Sequence, residues 1–262
     1  MLSEKLSVSL IGLGNLAHSL IPALQNTGAE ISQIISRNPE KLAYYQKEYH
    51  INQGSTQLEA LKQDVDLVFL CVADGMIEEV ANKLAHIGYS HPIFLHCSGS
   101  MDIRVLSALG EKVGVFYPMQ IFTKDRLNAF DSLPLFLEAH EAIYPLIEKL
   151  AKKMSSRVYE MNSTDRLRLH MGAVMACNFS NYLYRMAEEV MPQKAAMDFS
   201  IYEALVREHI DKVFNFGPQN TQTGPAVRKD QATIEKHLAL LEEQEDYRAL
   251  YAEMSSLIQE GS

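Results

Sequence analysis

Gly12, Gly14 and Ala17 stand in the pattern G-x-G-x-x-A within Val8-Ser-Leu-Ile-Gly-Leu-Gly-Asn-Leu-Ala17, a spacing suited to holding a pyrophosphate. Gly12 permits a tight turn out of a strand, Gly14 lets the backbone come close to the phosphates, and Ala17 is small enough for the next helix to pack on a sheet. Asn15 and Leu16 open that helix, so their backbone is expected beside the same anion. The competing reading is a strand-to-helix turn without a ligand. Placement between the first strand and first helix of a βαβ unit favours a dinucleotide site.

Sites for NAD usually carry an Asp or Glu roughly 20 residues further on, at the end of the second strand, to hold the ribose 2′-hydroxyl. Here that stretch reads Ile34-Ile35-Ser36-Arg37-Asn38. An acid is missing, Ser36 can hydrogen-bond a 2′-phosphate and Arg37 can pair with it, which favours NADP over NAD. Arg37 as a plain solvated loop charge is the alternative.

The turns after later strands are expected to line the nicotinamide half of such a site. These are Cys71-Val72-Ala73-Asp74 and His96-Cys97-Ser98-Gly99-Ser100, with Tyr117-Pro-Met-Gln120 at a third strand end able to present Tyr117 or Gln120 to a substrate. Val72, Ala73, Asp74 and Ser98 are assigned to the cofactor's surroundings, Asp74 reading first as a helix cap. Farther along, His170, Asn178 and Asn181 fall within about an 80° sector at 100° per residue of an expected helix. Asn178, His170 and Ser98 are the candidate catalytic, positioning or proton-transfer groups, and satisfied hydrogen bonds between helices are the other reading of the polar trio. Arg228 suits either a substrate carboxylate or a surface ion pair, and His237 reads as a packed histidine. Cys71, Cys97 and Cys177 show no zinc-site spacing, so no metal is expected.

Alternating elements must hold these residues in place. Strands are expected at Leu6 to Leu13, Ile31 to Ser36, Asp66 to Val72, Pro92 to His96, Val113 to Tyr117, Leu133 to Leu137 and Arg157 to Met161, with helices between them. Asp66 to Val72 is an almost unbroken apolar run, as in a strand covered on both faces of a parallel sheet. Asn38-Pro39-Glu40 reads as a helix start, and Ser98 or Ser100 as the cap of a helix ending near Gly110. Seven or eight strands in this order give an α/β fold, a doubly wound Rossmann sheet, over residues 1–161. From 162 to 262 only helical periodicity remains. An unbroken helix capped at Ser163-Thr-Asp165 and reaching about Met191 is followed by helices at about Met197 to Phe216, Asp230 to Gln244 and Asp246 to Gln259, an all-α substrate or dimerisation domain.

A length of 262 residues suits two domains. The net charge of −9 argues against nucleic acid and anionic membrane surfaces, which need a basic footprint, and leaves a small molecule or another protein as partner. No stretch approaches the roughly 20 apolar residues of a membrane span. The lead MLSEKLSVSLIG has no signal-like run, so a cytoplasmic location is expected.

The segments GLGNLA, CVAD, HCSGS, FYPMQIF, ACNFSNYLY and TGPAVRKDQATIEKHL together resemble the family of NADP oxidoreductases that join a Rossmann-like domain to a helical C-terminal domain of unknown function. The likeness runs from about Val8 to Leu241. More distantly the layout is similar to pyrroline-5-carboxylate reductase, coenzyme F420-dependent NADP reductases and the β-hydroxyacid dehydrogenases, with a C-terminal half of the 6-phosphogluconate dehydrogenase kind. The resemblance implies pairing through the helical domain, hence a homodimer. It implies a cofactor more firmly than a reaction; the placed glycine fingerprint joined to a second, helical domain favours hydride transfer between the nicotinamide and a small carbonyl or imine substrate held between the domains. Asn178 matches an asparagine of the β-hydroxyacid dehydrogenases, whereas their catalytic lysine, one turn earlier, is Val174 here and cannot move a proton. That departure supports the alternative of a non-catalytic, NADP-binding regulatory or assembly protein. A deazaflavin as redox partner is a third reading.

Overall fold

The computed structural model describes residues 5–89, 91–192 and 197–261; the polar lead at 1–4 lies outside them. The chain divides into two compact units, Met1–Val174 and Met175–Ser262.

In the first unit the chain runs β1 (Ser7–Ile11), α1 (Asn15–Asn26), β2 (Glu30–Ile35), α2 (Pro39–Glu48), β3 (Gly54–Ser55), β4 (Leu67–Leu70), α3 (Ile77–Ile87), β5 (Ile93–His96), β6 (Val113–Pro118), β7 (Leu135–Ala139), α4 (Tyr144–Met154), β8 (Val158–Glu160) and α5 (Ser163–Ala173). The strands form one sheet in the order β3-β2-β1-β4-β5-β6-β7-β8. Every neighbouring pair is parallel except β6 with β7. The order turns back at β1, so the carboxyl ends of β1 and β4 flank the crevice where doubly wound sheets bind ligands.

Alternation along β4 builds both cores. Leu67 and Phe69 join the layer containing residues of α1 and α4, while Val68 and Leu70 join the opposite layer with α3, as a period of two requires. Helix α1 contains Pro22, whose missing N–H would leave the His18 carbonyl without its helical partner. The Tyr49 hydroxyl donates to that carbonyl at 2.9 Å and sits 2.6 Å from His18 Nδ1. Helix α2 begins as expected, with Pro39 in its first turn and the Asn38 side chain accepting from the Lys41 N–H.

Three expectations are corrected. The helix after β5 is a 3₁₀ segment, Ile103–Leu109, capped by Asp102 and not by Ser98 or Ser100; the Ser98 oxygen is already taken by the N–H groups of Ser100 and Met101. Asp74 makes no cap hydrogen bond, and its carboxylate accepts the Ser100 hydroxyl at 2.6 Å. The long helix is interrupted: α5 gives way to a π-helical turn, Val174–Phe179, before α6 (Ser180–Glu189). Its N-cap is Asn162, while the Ser163 hydroxyl donates to Glu138.

The division near Asn162 read from the sequence differs from the observed one by α5. Arg166 of that helix is 1% exposed and is held by Glu138 of β7, the Met101 carbonyl and the Ser163 hydroxyl. These bonds tie α5 to the sheet unit.

The second unit continues with α6, a 3₁₀ turn Phe199–Tyr202, α7 (Glu203–Phe216), α8 (Gln231–Leu240) and α9 (Glu245–Glu260). Asp230 caps α8 as the sequence indicates, and His237 Nδ1 lies 2.7 Å from the Tyr251 hydroxyl of α9. No helix among the described residues is long and apolar enough to cross a membrane.

Candidate functional site

At the turn from β1 to α1, Gly12 has φ +95°, and a Cβ there would stand 2.6 Å from the Cys71 carbonyl oxygen. Conformation and space both require glycine. Gly14 differs, because its φ is −89° and a Cβ would meet nothing nearer than that same oxygen at 3.9 Å. The protein's own packing gives no reason for glycine at 14, whereas close approach of a bound group does. No side chain caps α1 and no acid lies in its first turn, so its leading N–H groups are left for an anion. The turn is braced from α2: the Tyr45 hydroxyl donates to the Gly14 carbonyl at 3.1 Å. Burial, with smaller contributions from Tyr44 and Cys71, pushes that phenol up to about 12 and keeps it a donor.

A cleft of about 690 Å³ extends from this turn across the ends of β1, β2 and β4, within the usual size of a cofactor site. Gly12, Gly14, Ser36, Arg37, Val72 and Ala73 line it, together with Lys41, Met76, Glu79 and Lys83. The Ser36 oxygen accepts from the Asn38 N–H at 3.3 Å, leaving its hydroxyl proton to donate. Lys41 lies in the first turn of α2, beside the Asn38 cap. Lys83 pairs with Glu79 at 2.6 Å, which offsets a carboxylate of the same cleft and leaves Arg37 and Lys41 to face an anion. The donors, the glycine turn and the volume fit a dinucleotide phosphate.

Beyond β5 and β6 lies a second constellation. Ser98 is buried, and its oxygen accepts two backbone N–H groups, so it acts as a turn staple. His96 is fully buried, and its Nδ1 accepts the Ser98 N–H. Burial first, and then the charge of Arg166, pull it down to about 4, so it is neutral at ordinary pH. The Tyr117 hydroxyl stands 3.3 Å from His170 Nδ1. A Cβ on Gly99 would come within 2.6 Å of the Tyr117 ring and 2.8 Å of that nitrogen. Glycine at 99 therefore lets the two side chains meet over the end of β5.

The residues assigned from sequence thus fall into three places. Gly12, Gly14, Ser36, Arg37, Val72 and Ala73 line the cleft, and Asn15 and Leu16 open α1 beside it. Asp74 and Ser98 are linked through Ser100, and His170 joins Tyr117. Asn178 is exposed within the π-helical turn of the second unit and is not among the groups gathered in the first. The extra residue per turn there also shifts the phase on which the His170, Asn178 and Asn181 sector depended. Sequence reasoning missed Lys41, Lys83, Tyr45, Gly99 and Arg166. Only Lys41 left a local signal, as a cation one turn into the helix after Arg37. Among the described residues no group of three or more His, Cys, Asp or Glu side chains could hold a metal ion.

Residues 7–92 match the family described as NADP oxidoreductase, coenzyme F420-dependent, and residues 133–258 match a domain of unknown function. A Bacteroides fragilis protein, provisionally described as an NADP oxidoreductase, is 32% identical, with 98% of this chain and 99% of that one covered and a TM-score of 0.86. A Thermotoga maritima protein is 22% identical over 97% of this chain and 98% of its own, with a TM-score of 0.80. An imine reductase from Myxococcus stipitatus, solved with NADP⁺, is 14% identical over 97% of this chain and 93% of its own, with a TM-score of 0.67. No curated protein matches the sequence.

Proposed function

The chain belongs to the NADP oxidoreductase family that joins a Rossmann-like domain to a helical domain of unknown function, and on that premise we propose that it moves a hydride between NADP and a small carbonyl or imine compound. The observation that carries the cofactor half is Gly14, a glycine that the protein's own packing does not need, at the uncapped start of α1. The backbone from Gly12 to Leu16 would hold the pyrophosphate, braced by Tyr45. Ser36, Arg37 and Lys41 would take the 2′-phosphate, two cations on a charged oxyanion giving stronger hydrogen bonds than neutral donors. Ala73, small and at the end of β4, leaves room for the nicotinamide half.

When bound, the reduced nicotinamide supplies a hydride to the substrate's C=O or C=N carbon. The protein must then orient that carbon, exclude water and provide a proton. His170 would handle the proton, a reading supported by its half-burial and its contact with Tyr117 at the end of the sheet. Val174 in the place of a catalytic lysine favours the second reading, in which the cofactor is retained without turnover. A screen of NADPH oxidation against ketones, keto acids and cyclic imines separates the two. Turnover with one class supports the oxidoreductase; tight NADPH binding with no turnover on any class supports the regulatory reading.

A further inference from the structure

The hydrogen-bond inventory of Tyr117 extends the reading above and rests on it. Tyr117 is 9% exposed, its ring packed against Phe136 and edge-on to His170. Its hydroxyl has one hydrogen-bond partner among the described residues, His170 Nδ1 at 3.3 Å. A buried hydroxyl proton needs an acceptor, so the phenol donates to Nδ1, and the neutral imidazole carries its own proton on Nε2. When His170 is protonated, the roles reverse: Nδ1–H donates and the phenol oxygen accepts. Tyrosine satisfies both states without any atom moving far, which a group that only donates or only accepts does not do.

We propose that Tyr117 is the positioning residue of a proton-transfer site at His170 Nε2, holding the imidazole in one orientation and one tautomer over the gap left by Gly99. Three separate elements converge to build it: β6 supplies the phenol, α5 the imidazole, and the turn after β5 the glycine that lets them meet. Arg166, one turn before His170 on α5, anchors that face of the helix to Glu138 and the Met101 carbonyl.

Bound NADPH would supply the hydride, two electrons and a hydrogen, with which the π bond of C=O or C=N is broken. Imidazolium Nε2–H gives its proton to the oxygen or nitrogen. The imidazole is left protonated at Nδ1, which keeps donating to the phenol oxygen, and Nε2 of the half-exposed ring regains a proton from solvent. The products are an alcohol or amine and NADP⁺. A substrate that is already an N-alkylated iminium needs no proton and makes no demand on this pair.

The test compares wild-type protein with Tyr117→Phe and His170→Ala. Histidine ¹⁵N spectra of the cofactor-free protein should show His170 as the Nε2–H tautomer, and Tyr117→Phe should shift its Nδ1 resonance toward that of an unbonded ring nitrogen. With NADPH, Tyr117→Phe should lower kcat on ketones or neutral imines about 10-fold or more, in the range of lost acid–base assistance, with NADPH affinity unchanged. Turnover of an N-methyl dihydroisoquinolinium should stay within about twofold in both variants. An Nδ1 signal indifferent to Tyr117→Phe would overturn the proposal, as would equal losses on iminium and ketone. If wild-type protein binds NADPH and reduces none of these compounds, the oxidoreductase reading itself fails, and this assignment with it.

Discussion

Positions 12 and 14 look alike in sequence and are under different physical demands. Gly12 sits at positive φ against the Cys71 carbonyl, so Gly12→Ala should cost about 1–3 kcal/mol or more of folding stability. Gly14→Ala should leave the melting temperature nearly unchanged, because 3.9 Å is open space for a methyl group, yet weaken NADPH binding at least about 10-fold by blocking the approach of the phosphates. Melting curves and titration of the two variants check the split. His96 allows a prediction with a definite sign. Its folded pKa is drawn down to about 4 by burial and Arg166, against opposing pulls from Asp74 and Asp102, whereas an unfolded histidine titrates near 6.5. Between those values the unfolded chain binds a proton that the folded chain refuses. Stability should therefore fall by about 3 kcal/mol as pH drops from 6.5 to 4, then level off. Urea unfolding at pH 7, 5 and 4 measures it, and His96→Gln should flatten the slope. Local spacing made it legible that Gly12, Gly14, Ser36 and Arg37 share one cleft; Tyr45, Gly99 and Arg166 act on partners 31, 71 and 28 positions away, a distance no local pattern reports.

Among the elements, α5 depends on a single buried cation. Arg166→Leu removes the partner of Glu138 and frees the Met101 carbonyl, and it should cost about 3 kcal/mol, the low end for breaking a buried pair, since Glu138 keeps 19% of its side chain in solvent. Adding Glu138→Leu should restore much of that loss, because two apolar groups leave no charge stranded; denaturant midpoints of the single and double variants decide. Most strands and helices could be read from apolar runs and caps, down to Asn38 on α2 and Asp230 on α8. The exceptions share a cause. The two-residue strand β3 is too short for any periodicity, the 3₁₀ segment Ile103–Leu109 uses Asp102 where serines stood nearer, and the π-helical turn keeps helical composition while changing its phase.

At the scale of the whole molecule, the helical unit shows more apolar surface than an isolated chain should. Leu205, Phe214, Phe216, Leu240 and Leu257 are all more than half exposed, Phe214 at 86%, and among the described residues only Met191, Ala226, Ile234 and Leu241 are buried apolar residues there. Large apolar side chains exposed in this number suit an interface, and we propose that a second copy covers them. Light scattering should give the mass of two 29.5 kDa chains, and Phe214→Glu should return it to one. The α/β half and the helical half were legible in the alternation of strand and helix and its end near residue 162, whereas the grouping of α5 with the sheet was not, since Arg166 reads as an ordinary helical surface charge. The central claim is that the β1–α1 turn and the Ser36, Arg37 and Lys41 cluster bind NADP. Calorimetric titration of cofactor-stripped protein with NADPH and NADH, beside Arg37→Ala, tests it most directly. The account predicts NADPH binding at least about 10-fold tighter than NADH, with the preference lost and NADH binding kept in the variant, a gap of about 1.4 kcal/mol. Binding of neither nucleotide, or a preference indifferent to Arg37, would contradict it.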